Sequence, residues 1–274
     1  MVEQIQLLPG KIMKRFNFKN LLVVFIIFFG SISNSFSASG GGELLKVDWS
    51  FKGITGKFDR ASLQRGFQVY KEVCASCHSM QYLSYRNLGE PGGPEFSEQE
   101  VKAIAASIEI EDGPDEQGEM FTRPGRPADK FKNPYPNVKA SIAANGGAYP
   151  PDMSVLVKAR PGGSNYIYSV LMGYEDPPAD ITLDDGVYYN KYMIGNKIKM
   201  ASPLSDDIVE YSDGTQATVD QMAKDVTTFL SWAAEPELEE RHRTGVKVII
   251  YLILLTTLVY LSMKKIWSRI DSEV

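Results

Sequence analysis

Apolar side chains recur at Leu63, Phe67, Tyr70, Cys74 and Cys77, at spacings of four, three, four and three, which is one face of a helix. Asp59 stands just ahead of this run and predicts its N-cap. Both cysteines therefore fall on the same side, at or just beyond the helix end. Gly66 lies beside the stripe and leaves room for another helix to approach closely. A second helix is predicted from Ser97, which has capping-box spacing with Glu100 and is followed by Val101, Ile104 and Ile108 on one face. A third spans Ser164–Met172, stopped by Gly173 and then by Pro177 and Pro178. A fourth starts at Thr218, again at capping-box spacing with Gln221, and carries Met222, Val226, Phe229 and Trp232. Glycine and proline dominate the segments between. Strand signals are weak, residues 208–211 being the best short candidate, and no internal repeat is present. The pattern predicts a mainly α domain of short helices and long rigid loops, a design suited to wrapping a large flat cofactor.

Both ends depart from this pattern. Lys11, Lys14, Arg15 and Lys19 precede nine unbroken apolar residues, 21–29, and small residues follow. This is the layout of a secretory signal, with cleavage expected near Ser37, Ala38 or Ser39. Nine residues are too few to cross a hydrocarbon layer of about 30 Å as a helix. Residues 246–263 are apolar apart from Lys247 and scattered Tyr, Thr and Ser, which is long enough to span. Basic residues flank that span on both sides and give no orientation, so the orientation rests on the leader. The expected organisation is a cleaved signal peptide over 1–38, an exported domain over 39–244, a single transmembrane anchor over 245–264 and a cytoplasmic tail over 265–274.

Composition narrows the chemistry. A formal net charge of -5 leaves no basic stripe for nucleic acid. The chain has two Cys and two His, and three of these four form Cys74-Ala75-Ser76-Cys77-His78. Two thiols at this spacing can add across the vinyl groups of haem while the next His reaches the iron, the c-type attachment pattern. A zinc site would need further ligands, and His242 alone remains. A thiol–disulfide pair suits an exported protein but gives His78 no task. The cofactor expected is therefore one covalent haem c. For the sixth iron position, a methionine thioether favours ferrous iron and raises the potential. Met120, Met153, Met172, Met193, Met200 and Met222 are available. Met172 and Met222 lie on predicted helices. Met200 sits in an irregular segment stiffened by Pro203 and leads, with Met193 and Met120 behind it.

Longer blocks carry a resemblance. Arg65-Gly66-Phe67-Gln68-Val69-Tyr70-Lys71, the haem motif with Ser79-Met80, Asp112-Gly113-Pro114, Gly118-Glu119-Met120-Phe121, Arg123-Pro124-Gly125, Pro134-Tyr135-Pro136-Asn137, Pro150-Pro151-Asp152, Gly173-Tyr174 and Trp232-Ala233-Ala234-Glu235-Pro236 resemble the cytochrome c1 family, bacterial type. These are the haem subunits of the ubiquinol–cytochrome c oxidoreductase (cytochrome bc1) complex. The resemblance runs from about Asp59 to the end of the anchor. It implies Met200 as the sixth iron ligand beside His78. It implies Arg160 and Tyr166 as contacts to the haem propionates, Asn145 as a further donor on that side, and Pro150 and Pro151 as residues packed near the haem. One departure stands out: no cysteines exist beyond the haem pair, so the Met200 loop is expected to be held by packing and prolines alone.

With His78 and Met200 both on iron, no position is left for oxygen, peroxide or substrate, and electron transfer remains. The resemblance implies an electron carrier that is not an enzyme by itself. Its partners would be the cytochrome b subunit, the Rieske iron–sulfur protein as donor, a soluble or membrane-anchored cytochrome c as acceptor, and membrane lipid. The expected location is the bacterial cytoplasmic membrane with the large domain on the periplasmic side, the alternative being the mitochondrial inner membrane. Residues 90–119 hold ten Asp or Glu against Lys102 alone and are expected to help dock a basic partner. A tail-anchored cytochrome c of another respiratory chain would share the haem and anchor but not the longer blocks. An exported thiol oxidoreductase would show a titratable dithiol and no haem bands.

Overall fold

The computed structural model describes residues 42–270, so the predicted signal peptide lies outside the described residues. Its helices are α1 (Arg60–Glu72), α2 (Glu98–Ala106), α3 (Val138–Ala144), α4 (Ser164–Met172), α5 (Val219–Ala234) and α6 (Leu238–Ile270). Two small antiparallel sheets interrupt them. Strand β1 (Glu109–Asp112) pairs with β2 (Phe121–Pro124), and β3 (Tyr188–Tyr189) pairs with β4 (Lys197–Ile198). The domain is mainly helical, as its pattern predicts.

Local chemistry sets the helix starts. The Asp59 carboxylate accepts from the backbone N–H groups of Ala61 and Ser62, and Asn137 and Thr218 cap α3 and α5 in the same way. Ser97 and Glu100 form a reciprocal capping box at α2. Residues 208–211 are not a strand. Ile208 is exposed while Val209 and Tyr211 are buried, so the alternation is real, but no neighbouring strand offers a ladder. Helix α3 and the β1–β2 hairpin were not expected from the pattern.

The scaffold is the crossing of α1 over α5. A Cβ on Gly66 would lie 2.1 Å from the Asp225 carbonyl oxygen, so only glycine permits this approach. Arg65, the next residue, binds the fully buried Asp225 carboxylate through Nε (2.8 Å) and Nη2 (3.1 Å), and Asp213 through Nη1 (2.8 Å). These contacts hold the guanidinium above its ordinary pKa, the hydrogen bond to Asp225 being the main cause. Phe67 and Phe229 meet at the crossing with ring centroids 5.7 Å apart, and Tyr70 stacks on Phe131 at 5.9 Å. Helix α4 is tied to α5 by a buried Ser164–Ser231 hydrogen bond of 2.9 Å.

The last helix behaves differently. Its first turn is clamped to the domain, the Glu239 carboxylate taking Arg60 Nη1 at 2.7 Å, Arg60 Nη2 at 2.9 Å and the Phe58 N–H at 2.9 Å. Glu235, just ahead of it, binds Lys158 and Arg241. From Val246 onward, its large apolar side chains are exposed on every side. Helix α6 is long and apolar enough to cross a membrane.

Candidate functional site

Helix α1 delivers the cysteine motif. It ends at Glu72, and the chain tightens into a single 3-10 turn, Cys74–Ser76. The N–H groups of Cys77 and His78 both donate to the Cys74 carbonyl, at 3.1 and 2.9 Å. One compact turn thus carries Cys74, Cys77 and His78, with the two cysteines just beyond the helix end where the stripe predicts them. Neither cysteine is in a disulfide. Cys74 packs against the core, and burial, helped by the nearby Cys77, pushes its thiol up to about 12.

The imidazole of His78 is buried, and its Nδ1 lies 2.8 Å from the Pro151 carbonyl oxygen. A carbonyl only accepts, so Nδ1 carries the proton and Nε2 keeps its lone pair for a metal. Burial lowers the histidine's pKa, against opposing contributions from Pro151 and the Asp152 charge, so the neutral ring is the resting form. The segment that supplies Pro151 is itself fixed. Asp152 Oδ2 accepts from Ser79 Oγ (2.7 Å) and the Gln81 N–H (3.0 Å), and its Oδ1 accepts from the Ser154 N–H (2.9 Å). Burial opposes the Asp152 charge, but these hydrogen bonds from Ser154, Ser79 and Gln81 prevail and keep its pKa low. The Ser79 carbonyl in turn accepts from the Met153 N–H at 2.8 Å. Asp152 is the positioning residue the sequence did not single out; its place directly after Pro150-Pro151 was the available signal.

Two cavities flank the motif. One of about 210 Å³ is lined by Ala75 with Phe67, Tyr70, Tyr85 and Phe131. The other, of about 180 Å³, is lined by Cys77 with Ser79, Tyr135, Ser141 and Pro150. Asn133 and Pro134 line both, so the spaces adjoin. An aromatic wall, two free sulfurs and an imidazole with one nitrogen fixed form a donor set that fits a covalently held haem.

The remaining expected residues fall into separate groups. Pro151 meets His78 through its carbonyl, and Pro150 lines a cavity with Cys77. Met200 follows β4 and is half-buried, its carbonyl accepting from Tyr174 Oη at 3.1 Å. Lys199 Nζ donates to the Gly146 carbonyl at 3.1 Å, and Lys197 Nζ to that of Thr182 at 3.1 Å. The Met200 loop is therefore held by hydrogen bonds as well as by packing and prolines. Tyr166 Oη donates to Met193 Sδ at 3.1 Å, which engages the rival sulfur. Arg160 is half-buried before α4 and donates from Nη1 to the Ala159 carbonyl at 3.2 Å. Asn145 ends α3 and donates from Nδ2 to the Ser141 carbonyl at 2.7 Å. Met153 and Met222 are buried in the core, while Met120 is exposed. His242 Nδ1 lies 3.3 Å from the Gly56 carbonyl, far from the motif in role as well as in sequence.

Comparison with known proteins agrees with this geometry. A profile described as the Cytochrome C1 family matches residues 49–270. "Cytochrome c1" of Rhodospirillum rubrum is 49% identical over 247 residues, covering 84% of this chain and 90% of that protein. "Cytochrome c1-2, heme protein, mitochondrial" of Solanum tuberosum is 48% identical over 247 residues, covering 89% of this chain and 93% of that one. "Cytochrome b/c1" of Bradyrhizobium diazoefficiens is 48% identical over 261 residues, covering 88% of this chain, which spans only 38% of that longer protein. Bacterial and mitochondrial relatives are thus about equally similar. The chain belongs to the cytochrome c1 family.

Proposed function

We propose that this chain is the monohaem electron-transfer subunit of a respiratory cytochrome bc1 complex, passing electrons from the Rieske iron–sulfur protein to a soluble cytochrome c. The observation that carries this is the His78 imidazole, held through Nδ1 by the Pro151 carbonyl at 2.8 Å one residue after a pair of free cysteines on a single turn. When bound, haem supplies reversible one-electron redox chemistry. Cys74 and Cys77 would hold it covalently through their sulfurs, and His78 Nε2 would ligate the iron. Met200 would be the second protein ligand, since Met120 is exposed and Met153 and Met222 are buried in the core. With His78 and Met200 both on the iron, oxygen and small substrates would have no place to bind. Arg160, Tyr166 and Asn145 would serve the propionates, Tyr166 by turning its hydroxyl away from Met193, and the guanidinium is suited to a carboxylate by its fixed charge and paired donors.

The cytochrome b subunit is the expected neighbour in the membrane; the relative named "Cytochrome b/c1" supports this, since its name joins the two. We read the leader as a signal peptide, which places the domain on the periplasmic side of a bacterial membrane, or its mitochondrial counterpart. Three of the ten acidic residues in 90–119 are neutralised: Glu95 by Arg60, Glu98 by Lys102 and Asp112 by Arg123. Of the other seven, Glu109, Glu111, Asp115, Glu116 and Glu119 belong to the β1–β2 hairpin, which would carry most of the field for a basic acceptor.

The test is purification from membranes with a reduced-minus-oxidised spectrum and a denaturing gel stained for covalent haem. One haem per chain and copurification with cytochrome b and a Rieske protein are expected. Loss of the pigment to acid–acetone extraction would overturn the reading. Reversing Glu109, Glu111 and Glu116 to lysine should slow association with a basic cytochrome c and flatten its dependence on ionic strength.

A further inference from the structure

The segment ahead of α1 makes a tight turn beside the start of α6. The Lys57 N–H donates to the Ser50 carbonyl (3.0 Å) and the Gly56 N–H to the Gly53 carbonyl (3.3 Å), which puts Ile54 and Thr55 at the tip. Gly53 has φ +85°, and a Cβ on Gly56 would lie 2.4 Å from the Lys52 carbonyl, so both glycines are needed for this geometry. Below the tip, Trp49, Phe51 and Phe58 are buried and stacked on one another, which makes the turn a rigid projection. At its tip, Ile54 is 76% exposed, more than any other large apolar side chain among the described residues, the apolar part of α6 included.

Its position explains that exposure. The Gly56 carbonyl meets His242 Nδ1, four residues before the exposed apolar run of α6 begins at Val246. Four residues of helix are about 6 Å, so the turn stands at the level where α6 enters the membrane. Lys52 and Lys57 flank the tip, both exposed and neither in an ion pair among the described residues. Lys247 is likewise exposed on the helix beside them. Glu239, at the start of α6, is bound by Arg60 and also feels the Lys57 charge, without an ion pair to it.

We propose that the turn carrying Ile54 is a second membrane contact, with Ile54 inserted at the headgroup–acyl boundary and Lys52 and Lys57 on anionic phospholipid headgroups. An apolar tip flanked by exposed cations is the composition that binds this boundary. Together with the Arg60–Glu239 clamp, it fixes the domain against the bilayer at two points rather than one. The proposal rests on α6 being the membrane anchor, and the test separates the two.

The haem-loaded full chain carrying Ile54→Cys is labelled with an environment-sensitive fluorophore, the haem cysteines being blocked by their thioethers. It is reconstituted into phosphatidylcholine vesicles with and without phosphatidylglycerol. Ile194→Cys, on the exposed β3–β4 turn, is the comparison. Flotation of the vesicles reports the anchor alone. In floating protein, the label at 54 should be quenched several-fold more by doxyl-bearing lipid than the label at 194, and several-fold less by aqueous iodide. Phosphatidylglycerol should enlarge the difference, and adding Lys52→Gln with Lys57→Gln should remove that enlargement. Floating protein whose label at 54 is quenched by iodide as strongly as at 194 overturns the proposal. So does a label shielded from both quenchers in the assembled complex, which would mean that a neighbouring subunit covers Ile54. Failure to float overturns the anchor instead.

Discussion

On the His78 side of the site, each functional atom is fixed by a chain of contacts that ends in the core. Cys74 and Cys77 share one turn at the end of α1, α1 is locked onto α5 at Gly66, and His78 is held by a carbonyl whose own segment is pinned by Asp152. The Met200 side is framed differently. Its segment is tied to α4 by the fully buried Asn190, which donates from Nδ2 to the Val170 carbonyl at 2.7 Å, and beyond that by two short paired strands, a tyrosine hydroxyl and two lysine ammonium groups that reach backbone carbonyls. The first side rests on a helix crossing, and the second on hydrogen bonds between loops and one helix end. On the function proposed above, the first wall would keep the cofactor and the second would tune the metal.

The largest effect should come from breaking the frame of the first wall. Gly66→Val places a side chain where the Asp225 carbonyl leaves 2.1 Å, which cannot be relieved without separating α1 from α5. We expect a loss of about 3 kcal/mol or more, seen as a lower denaturant midpoint and a poor yield of haem-loaded protein. Next in size is Met200→Leu, which acts on the second wall alone. Haem should stay covalently attached and the denaturation midpoint nearly unchanged, while the reduction potential falls by on the order of a few tenths of a volt. An unchanged spectrum and potential would remove Met200 as the ligand.

Acid should separate the walls more gently. Asp129, whose side chain binds Arg123 Nη1 and Nη2 at 2.7 and 2.9 Å and whose carbonyl accepts from the Tyr85 N–H, belongs to the first. The Arg123 hydrogen bond holds its carboxylate at about 2. A carboxylate lowered on folding contributes stability that is complete above its unfolded value of about 3.9 and is lost as pH falls through the folded value. Exchange protection at Tyr85 and Asp129, corrected for the intrinsic rate at each pH, should therefore fall between about pH 4 and pH 2, and Asp129→Asn should abolish that dependence. The ties of the Met200 loop involve no carboxylate, so its corrected protection should change little over the same range. The smallest effect is expected from Tyr174→Phe, which deletes the bond to the Met200 carbonyl. A cost of about 1 kcal/mol is enough to let exogenous imidazole compete at the sixth position, read by its spectral shift.

Helix starts and the cofactor motif were legible because a single residue type does the work. Asp59, Ser97 with Glu100 and Thr218 announce caps by their short acceptor side chains, and each caps where expected. Gly66 could be read as a close approach because no other residue fits one. Helix α3 was missed because its seven residues bury only Ser141 and so show no apolar stripe. The β1–β2 hairpin was hidden in an acidic stretch whose strand residues are mostly exposed.

What the sequence alone determined is the cofactor chemistry: two thiols and an imidazole on one turn, with an anchor too apolar for water, are consequences of residue type and spacing. What only the tertiary structure decided is which groups support that chemistry. The Pro151 carbonyl fixes the His78 tautomer, Tyr166 engages Met193, and Asn145 bonds back to the end of α3. A backbone carbonyl is the same at every position, and a hydroxyl or amide has many possible partners. Their roles come from where the chain places them, because hydrogen bonds are selected by distance and direction rather than by residue identity.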